Sequence, residues 1–345
     1  MAERFELGLD TFGDVTIASN GALQSQASVL RDVVTQAILA DDLGLDAFGV
    51  GEHHRRDFAI SAPEVVLAAI AARTKTILLG SAVTVLSTDD PVRVFQRFST
   101  LDALSSGRAE VILGRGSFTE SYPLFGYDLS RYDELFEDKL SLFVELLKGG
   151  PITWSGSTRP PVSGVPIHPP IERGTLRTWV GVGGTPESVV RAARYRLPLT
   201  LAIIGGNPTR FGAFVDLYRR ALEALGQQML PIAVHSPGHV AKSDEQAKNE
   251  LWPHYEAMIN RIGGERGWLP ATRAQFDREA GPDGALYVGS PQTVASKIVR
   301  TARALGLSRF NLKYSAGTLP HDALMKSIEL IGTEVAPRVR EVMHA

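Results

Sequence analysis

The chain has 345 residues, 44% of them apolar and 21% charged, with a formal net charge of −2. That length and composition supply a sizeable core and suit one large α/β barrel or two medium domains. The absence of cysteine excludes thiol nucleophiles, thiolate metal sites and iron–sulfur clusters and fits a reducing compartment, and a near-neutral charge without a basic block argues against a nucleic-acid partner.

Met1 to Phe5 pass straight into a strand-like run without a secretory signal pattern, and no apolar run reaches membrane-spanning length. A cytoplasmic protein without a membrane anchor is therefore the expectation. Short β-branched runs then alternate with helical patterns. The first strand is predicted over Phe5–Asp10. A helix follows over about Gln26–Leu43, with apolar residues at Leu30, Val33, Val34, Ala37 and Ile38, and Gly44 suits a left-handed stop. A second strand is read at about Asp46–Gly51 and a helix at Pro63–Arg73. The third strand spans Ile77–Leu86. Asp89-Asp90-Pro91 opens the next helix, with acids at its positive end and proline in its first turn; it ends near Ser105, closed by Gly107.

The fourth strand is Ala109–Gly114 and the fourth helix about Arg131–Leu147. Residues 149–177, rich in proline and glycine, read as an excursion. The fifth strand is Thr178–Val182, with a helix from Pro186. The sixth is Leu199–Ile204, with a helix over Pro208–Leu225, and the seventh about Ile232–Val240. A second excursion, 241–290, carries a helix near Ser243–Ile262 and the run Gly263-Gly264-Glu265-Arg266-Gly267, which offers hinge freedom. A helix over Pro291–Leu305, an eighth strand at Phe310–Tyr314 and a terminal helix complete the chain. Eight β–α repeats predict an α/β fold with a parallel sheet. An open doubly wound sheet has a similar rhythm, but eight strands without a domain break favour one (β/α)8 TIM barrel over residues 1–345. Chemistry in such a barrel sits on the loops after the strand C-termini.

Those loops carry the informative residues. After strand two stands Gly51-Glu52-His53-His54-Arg55-Arg56-Asp57. A histidine there suits proton transfer. Adjacent strand residues point to opposite faces, so one of His53 and His54 is expected to face the barrel axis. Glu52 is placed to orient that ring or to lie against a cofactor; the plainer alternative is a surface histidine pair. Three or more metal ligands are not in view, which counts against a metal site. After strand four, Gly114-Arg115-Gly116-Ser117 combines close backbone approach with a guanidinium fork suited to phosphate; the alternative is a tight turn with a solvated arginine. After strand five, Gly181-Val182-Gly183-Gly184-Thr185-Pro186-Glu187-Ser188 reads as a glycine turn and a helix start. Thr185 is the N-cap and Pro186 the first helical residue, with Glu187 and Ser188 N–H groups facing outward. Such a terminus is either an anion site or an ordinary capped helix. After strand three, Asp89 and Asp90 are read as caps. Neither the Walker pattern nor the dinucleotide fingerprint is matched.

In this order, the pieces resemble the bacterial luciferase-like flavin oxidoreductases. Glu52-His53-His54, the stretch Gly80 to Leu86 with Thr88 and Pro91-Val92-Arg93, Ser106-Gly107-Arg108 with Gly114-Arg115-Gly116, Gly183 to Ser188, and Val288-Gly289-Ser290-Pro291 are each similar to the family's motifs. The resemblance implies FMN as cofactor, reduced through NAD(P)H by a separate flavin reductase or in place, and monooxygenation of a small organic substrate. Arg115, Gly116, Gly183, Gly184, Thr185 and Ser188 would hold the cofactor, chiefly its phosphate, and Ala82 and Val83 would line the flavin across a non-proline cis peptide. Glu52 would sit near the ring, His53 would be the general base or acid, and the two excursions would be lids. The family also implies a homodimer. Three rivals stand beside this expectation: hydride transfer with a deazaflavin coenzyme or FMN without oxygen, a non-catalytic flavin-binding protein, and a metal-dependent barrel hydrolase.

Overall fold

The computed structural model describes residues 4–18, 20–172 and 174–344. Eight parallel strands close into a barrel: β1 Glu6–Thr11, β2 Ala47–Val50, β3 Leu78–Ser81, β4 Ala109–Gly114, β5 Arg177–Val182, β6 Leu199–Ala202, β7 Ile232–Val240 and β8 Arg309–Lys313. Each pairs with the next, and β8 returns to β1 with Glu6 opposite Arg309 and Asp10 opposite Lys313. The barrel expected from the β–α rhythm is thus the fold. Among the described residues, no helix is long and apolar enough to cross a membrane.

The surrounding helices start and stop where local chemistry dictates. They are α1 Gln26–Asp42, α2 Pro63–Ala71, α3 Pro91–Ser105, α4 Tyr132–Leu147, α5 Pro186–Arg194, α6 Gly212–Ala224, α7 Pro291–Leu305 and, after β8, α8 beginning at His321. At α3, the Asp90 side chain accepts from the Val92 and Arg93 N–H groups, and Pro91 occupies the first turn. Asp89 does not share the capping; it pairs with Arg97. The apolar faces of α1 to α8 pack on the outward strand residues, so the main core lies between the helix ring and the barrel wall.

The barrel interior is unusual in its lower layer. Arg309 is fully buried there, bonded to Glu6 at 2.6 Å and paired with Glu110, with its guanidinium 5.1 Å from the Trp179 ring. Above it lies a small apolar layer of Ile112, Trp179 and Ala233, with Val83 against it. Towards the mouth, inward positions are held by glycine. A Cβ at Gly51 would strike the Phe12 ring, and one at Gly114 would strike Val83. Glycine at these positions lets Phe12 and Val83 pack against the backbone of the barrel near its mouth.

Three local expectations change. The third strand breaks after Ser81: the Ala82–Val83 peptide is cis, and a short pairing at Thr84–Val85 then joins β4. In the second excursion, the helix runs from Asp244 through Gly263 and Gly264 to Arg266 and stops at left-handed Gly267. The predicted hinge is thus a helix end. Glycine inside a helix costs only about 1 kcal/mol, and Gly263 is buried beneath Trp268, whose contacts offset it. The same excursion also supplies a strand, Tyr287–Gly289, that pairs with the far end of β7. The first excursion forms the hairpin Pro151–Trp154 and Val162–Pro166. It lies along the α3–α4 flank rather than over the mouth: Trp154 donates to Ser141, Asp138 accepts from Thr158, and Gln96 donates to His168 O. Among its described residues, the tip reaches the rim at the Arg159–Asp90 pair.

Candidate active site

The loops after β1, β2, β4 and β7 meet over the barrel mouth. His53 stands among the rings of Phe12, Phe58 and Phe118, at 4.3, 4.5 and 5.5 Å. Its Nδ1 lies 3.3 Å from the Gly51 carbonyl, which can only accept, so Nδ1 carries the proton of the neutral ring and Nε2 the lone pair. Burial among aromatic rings pushes the His53 pKa down to about 4. The ring is therefore neutral at physiological pH. It can accept a proton or a hydrogen bond, but it holds none to give as an imidazolium.

His54 points elsewhere. Its Nε2 lies 2.8 Å from Glu52 Oε1, and its ring packs edge-on to Phe125. Glu52 thus orients His54 rather than the axial His53. The second Glu52 oxygen accepts from Val85 N–H at 2.8 Å, and its backbone N–H donates to Val83 O. Both bonds tie the β2 loop to the segment containing the Ala82–Val83 cis peptide, so Glu52 braces the floor of the mouth.

Arg115, Thr185 and Ser188 come together from different strand ends. Arg115 Nη2 donates to Ser188 Oγ at 3.1 Å and to Thr185 Oγ1 at 3.4 Å, and the two hydroxyls are 2.7 Å apart. Thr185 is the N-cap of α5, yet its hydroxyl turns to Ser188 instead of capping a backbone N–H. Ser188 N–H is taken by Thr185 O, so of the two N–H groups read as free only the Glu187 one lacks an intrahelical partner. Gly183 and Gly184 have open space beside them, Gly184 with φ +130°. Gly116, also left-handed, offers its carbonyl to Tyr132 OH at 3.0 Å. Arg191, one turn further along α5, has a buried Nη1 with no protein partner among the described residues. Against these cations stands Asp133, largely exposed, which pairs with Arg115 and lies 3.8 Å from Arg191.

Polar groups inside the strands complete the mouth, and these the sequence did not single out. Asp10 on β1 lies 2.7 Å from Nδ1 of His235 on β7. Asp14 receives Lys313 Nζ at 3.0 Å, Ser315 Oγ at 2.5 Å and Gly317 N–H at 3.0 Å. Lys313 also sits 4.5 Å from the centre of the Phe12 ring. The available signal was a charged residue inside an otherwise apolar strand, as at Asp10 and Lys313. Over the top, the end of the Asp244–Arg266 helix covers the loops after β2 and β4. Arg55 joins Glu265 at 2.7 Å, Asp57 and Glu120; Arg266 donates to Ser117 O and lies over Phe118. Of the two excursions, the second is the one placed as a cover.

The cluster of polar and ionisable residues at the strand C-termini lies where parallel barrels of this kind carry their sites. The match to known sequences narrows this class: residues 11–309 match the family model described as luciferase-like monooxygenase, and the chain belongs to that family. It is 25% identical to the alkanal monooxygenase alpha chain of Photorhabdus luminescens, across 96% of this chain and 97% of that one. Among solved structures, monooxygenase RslO1 from Streptomyces bottropensis superposes with a TM-score of 0.83 at 23% identity, covering 96% of this chain and 99% of that one. The oxygenating constituent of 3,6-diketocamphane monooxygenase from Pseudomonas putida, in complex with FMN, gives 0.76 at 19% identity, covering 97% and 99%. An F420-dependent secondary alcohol dehydrogenase also gives 0.76, at 15% identity and the same coverage.

Proposed function

We propose that the protein is a monooxygenase that uses reduced FMN and dioxygen on a small organic substrate. The observation that carries this reading is the cradle of Arg115, Thr185 and Ser188 at the N-terminus of α5. Two hydroxyls, a guanidinium and a free Glu187 N–H converge beside the open backbone of Gly183 and Gly184, which fits a terminal phosphate. Asp133 opposes an anion, and its release from Arg115 is part of the cost of binding.

Reduced FMN, when bound, supplies the two electrons with which dioxygen delivers one oxygen atom to an organic molecule. NAD(P)H is the source of those electrons, through a separate flavin reductase or on this chain. The protein's own residues have three tasks. Arg115, Thr185, Ser188, Gly116, Gly183 and Gly184 hold the phosphate. Ala82 and Val83 form an apolar floor that Glu52 braces from beneath. Phe12, Phe58 and Phe118 keep water from the mouth while His53 offers an uncharged Nε2 to the reactants. The same rings favour an apolar or aromatic substrate.

Fluorescence titration of the protein with FMN and with riboflavin tests the reading. FMN is expected to bind at least about tenfold more tightly, since the cradle meets only the phosphate. Equal affinity removes the cradle from flavin binding. The F420-dependent neighbour of the same fold keeps hydride transfer without oxygen as the alternative; turnover that continues at full rate under argon favours it.

A further inference from the structure

Two histidines pack against the Phe12 ring. His53 lies at 4.3 Å, tilted by 37°, and His235 at 5.7 Å, nearly parallel at 11°. They differ in what stands behind them. His53 has a backbone carbonyl at Nδ1 and aromatic rings around it, whereas His235 has the carboxylate of Asp10 at 2.7 Å. Asp10 is itself 1% exposed, and its other oxygen has no partner among the described residues. It faces inward from β1, where a Cβ on Gly49 would collide with it. A carboxylate in that position fixes the Nδ1–H tautomer and holds the ring's orientation. It also balances the charge gained when Nε2 takes a proton. His235 Nε2 has no partner among the described residues, and it is not one of the sealed polar atoms. The His235 side chain keeps 11% of its surface exposed, so solvent can reach it.

We propose that His235, positioned by Asp10, is the proton-transferring residue of this site, with His53 as a hydrogen-bond acceptor beside the same Phe12 ring. Nε2 of His235 takes up a proton from a buffer acid or hydronium in solvent, which is left as its conjugate base, while Asp10 balances the ring's charge. With reduced flavin bound, it would give that proton to the oxygen reduced there; the N–H bond breaks and its electron pair stays on the ring. The other ionisable groups near this pair are few. His53 stands on the β2 loop, Lys313 on β8 faces the Phe12 ring, and Asp14 on the β1 loop is held by Lys313.

The first test needs no flavin. In nitrogen-15 histidine spectra of the ligand-free protein, the resonance lost in His235→Gln is expected to belong to a ring protonated at Nδ1 with a bare Nε2. Asp10→Asn should weaken that tautomer preference. A His235 found protonated at Nε2 with a bare Nδ1 overturns the dyad. The second test rests on the flavin reading. FMN reduced with dithionite is bound anaerobically, and its reoxidation is followed after mixing with oxygenated buffer between about pH 6 and about pH 9. His235→Gln is expected to slow reoxidation about a hundredfold, the low end for a positioned acid–base group, and to flatten the pH profile. Asp10→Asn should shift the profile, and His53→Gln should keep its shape. An unaltered rate and profile in His235→Gln, with FMN still bound, overturns the proposal. If wild-type protein binds no FMN, the flavin reading fails and the tautomer measurement alone decides the dyad.

Discussion

Replacing His53 with glutamine should make the protein less sensitive to acid. The His53 pKa is about 4 in the fold against an ordinary 6.5. Between those values the unfolded chain binds a proton that the folded chain does not, so stability present at pH 7 is lost as pH falls. The loss from this residue between pH 7 and pH 5 is about 2 kcal/mol, out of about 3 kcal/mol once pH is well below 4. Glutamine keeps an N–H for the Gly51 carbonyl and carries no titrating proton. Urea unfolding followed by circular dichroism at both pH values gives four stabilities. The wild-type difference between pH 7 and pH 5 should exceed the variant's by about 2 kcal/mol. His239 and His254, whose pKa values are also lowered by burial, act in the same direction but equally in both proteins. Equal pH dependence in the two would mean that His53 is not held neutral by its surroundings, and the aromatic box would lose its electrostatic role.

Arg115→Ala should weaken FMN binding roughly ten- to a hundredfold, the worth of a hydrogen bond to a charged group; isothermal titration measures it, and an unchanged affinity removes Arg115 from the cradle. Asp133→Asn should have the opposite sign, tightening FMN about two- to tenfold by freeing Arg115 and lifting a repulsive charge. Arg309→Met should cost about 3–5 kcal/mol in unfolding free energy because it strands Glu110 inside the barrel and removes a partner of Glu6; a loss below about 1 kcal/mol would show that water reaches Glu110. Lys297 donates to the carbonyls of Glu279, Gly281 and Leu286 beneath the second excursion. Lys297→Met should speed amide exchange in residues 279–287 while leaving β1 and β2 protected, and uniform exchange rates across the chain would refute that local role.

The barrel was legible because each repeat carries its own punctuation. Asp90-Pro91 and Ser290-Pro291 start helices, Gly44 and Gly306 stop them, and the β-branched runs between are buried on both faces. The cradle was legible for the same reason: Arg115, Thr185 and Ser188 sit next to strand ends, where chain order fixes position. Contacts between distant strands were not. Nothing local in Asp10 or His235 shows that 225 residues of chain return to set them 2.7 Å apart. The pairing of Glu52 with His54 rather than His53 follows from the turn after β2, where strand alternation ends. The Gly263–Gly267 run read as a hinge from composition, yet burial of Gly263 under Trp268 keeps it helical.

The most direct test of the flavin assignment is an anaerobic titration of the protein with reduced FMN, followed by admission of oxygen while the flavin spectrum is recorded. The account predicts stoichiometric binding, and reoxidation clearly slower than that of free reduced FMN in the same buffer, because Phe12, Phe58 and Phe118 exclude water from the mouth. Binding followed by reoxidation at the rate of free FMN would contradict the sheltered mouth, and no binding of reduced FMN at all would contradict the cofactor assignment itself.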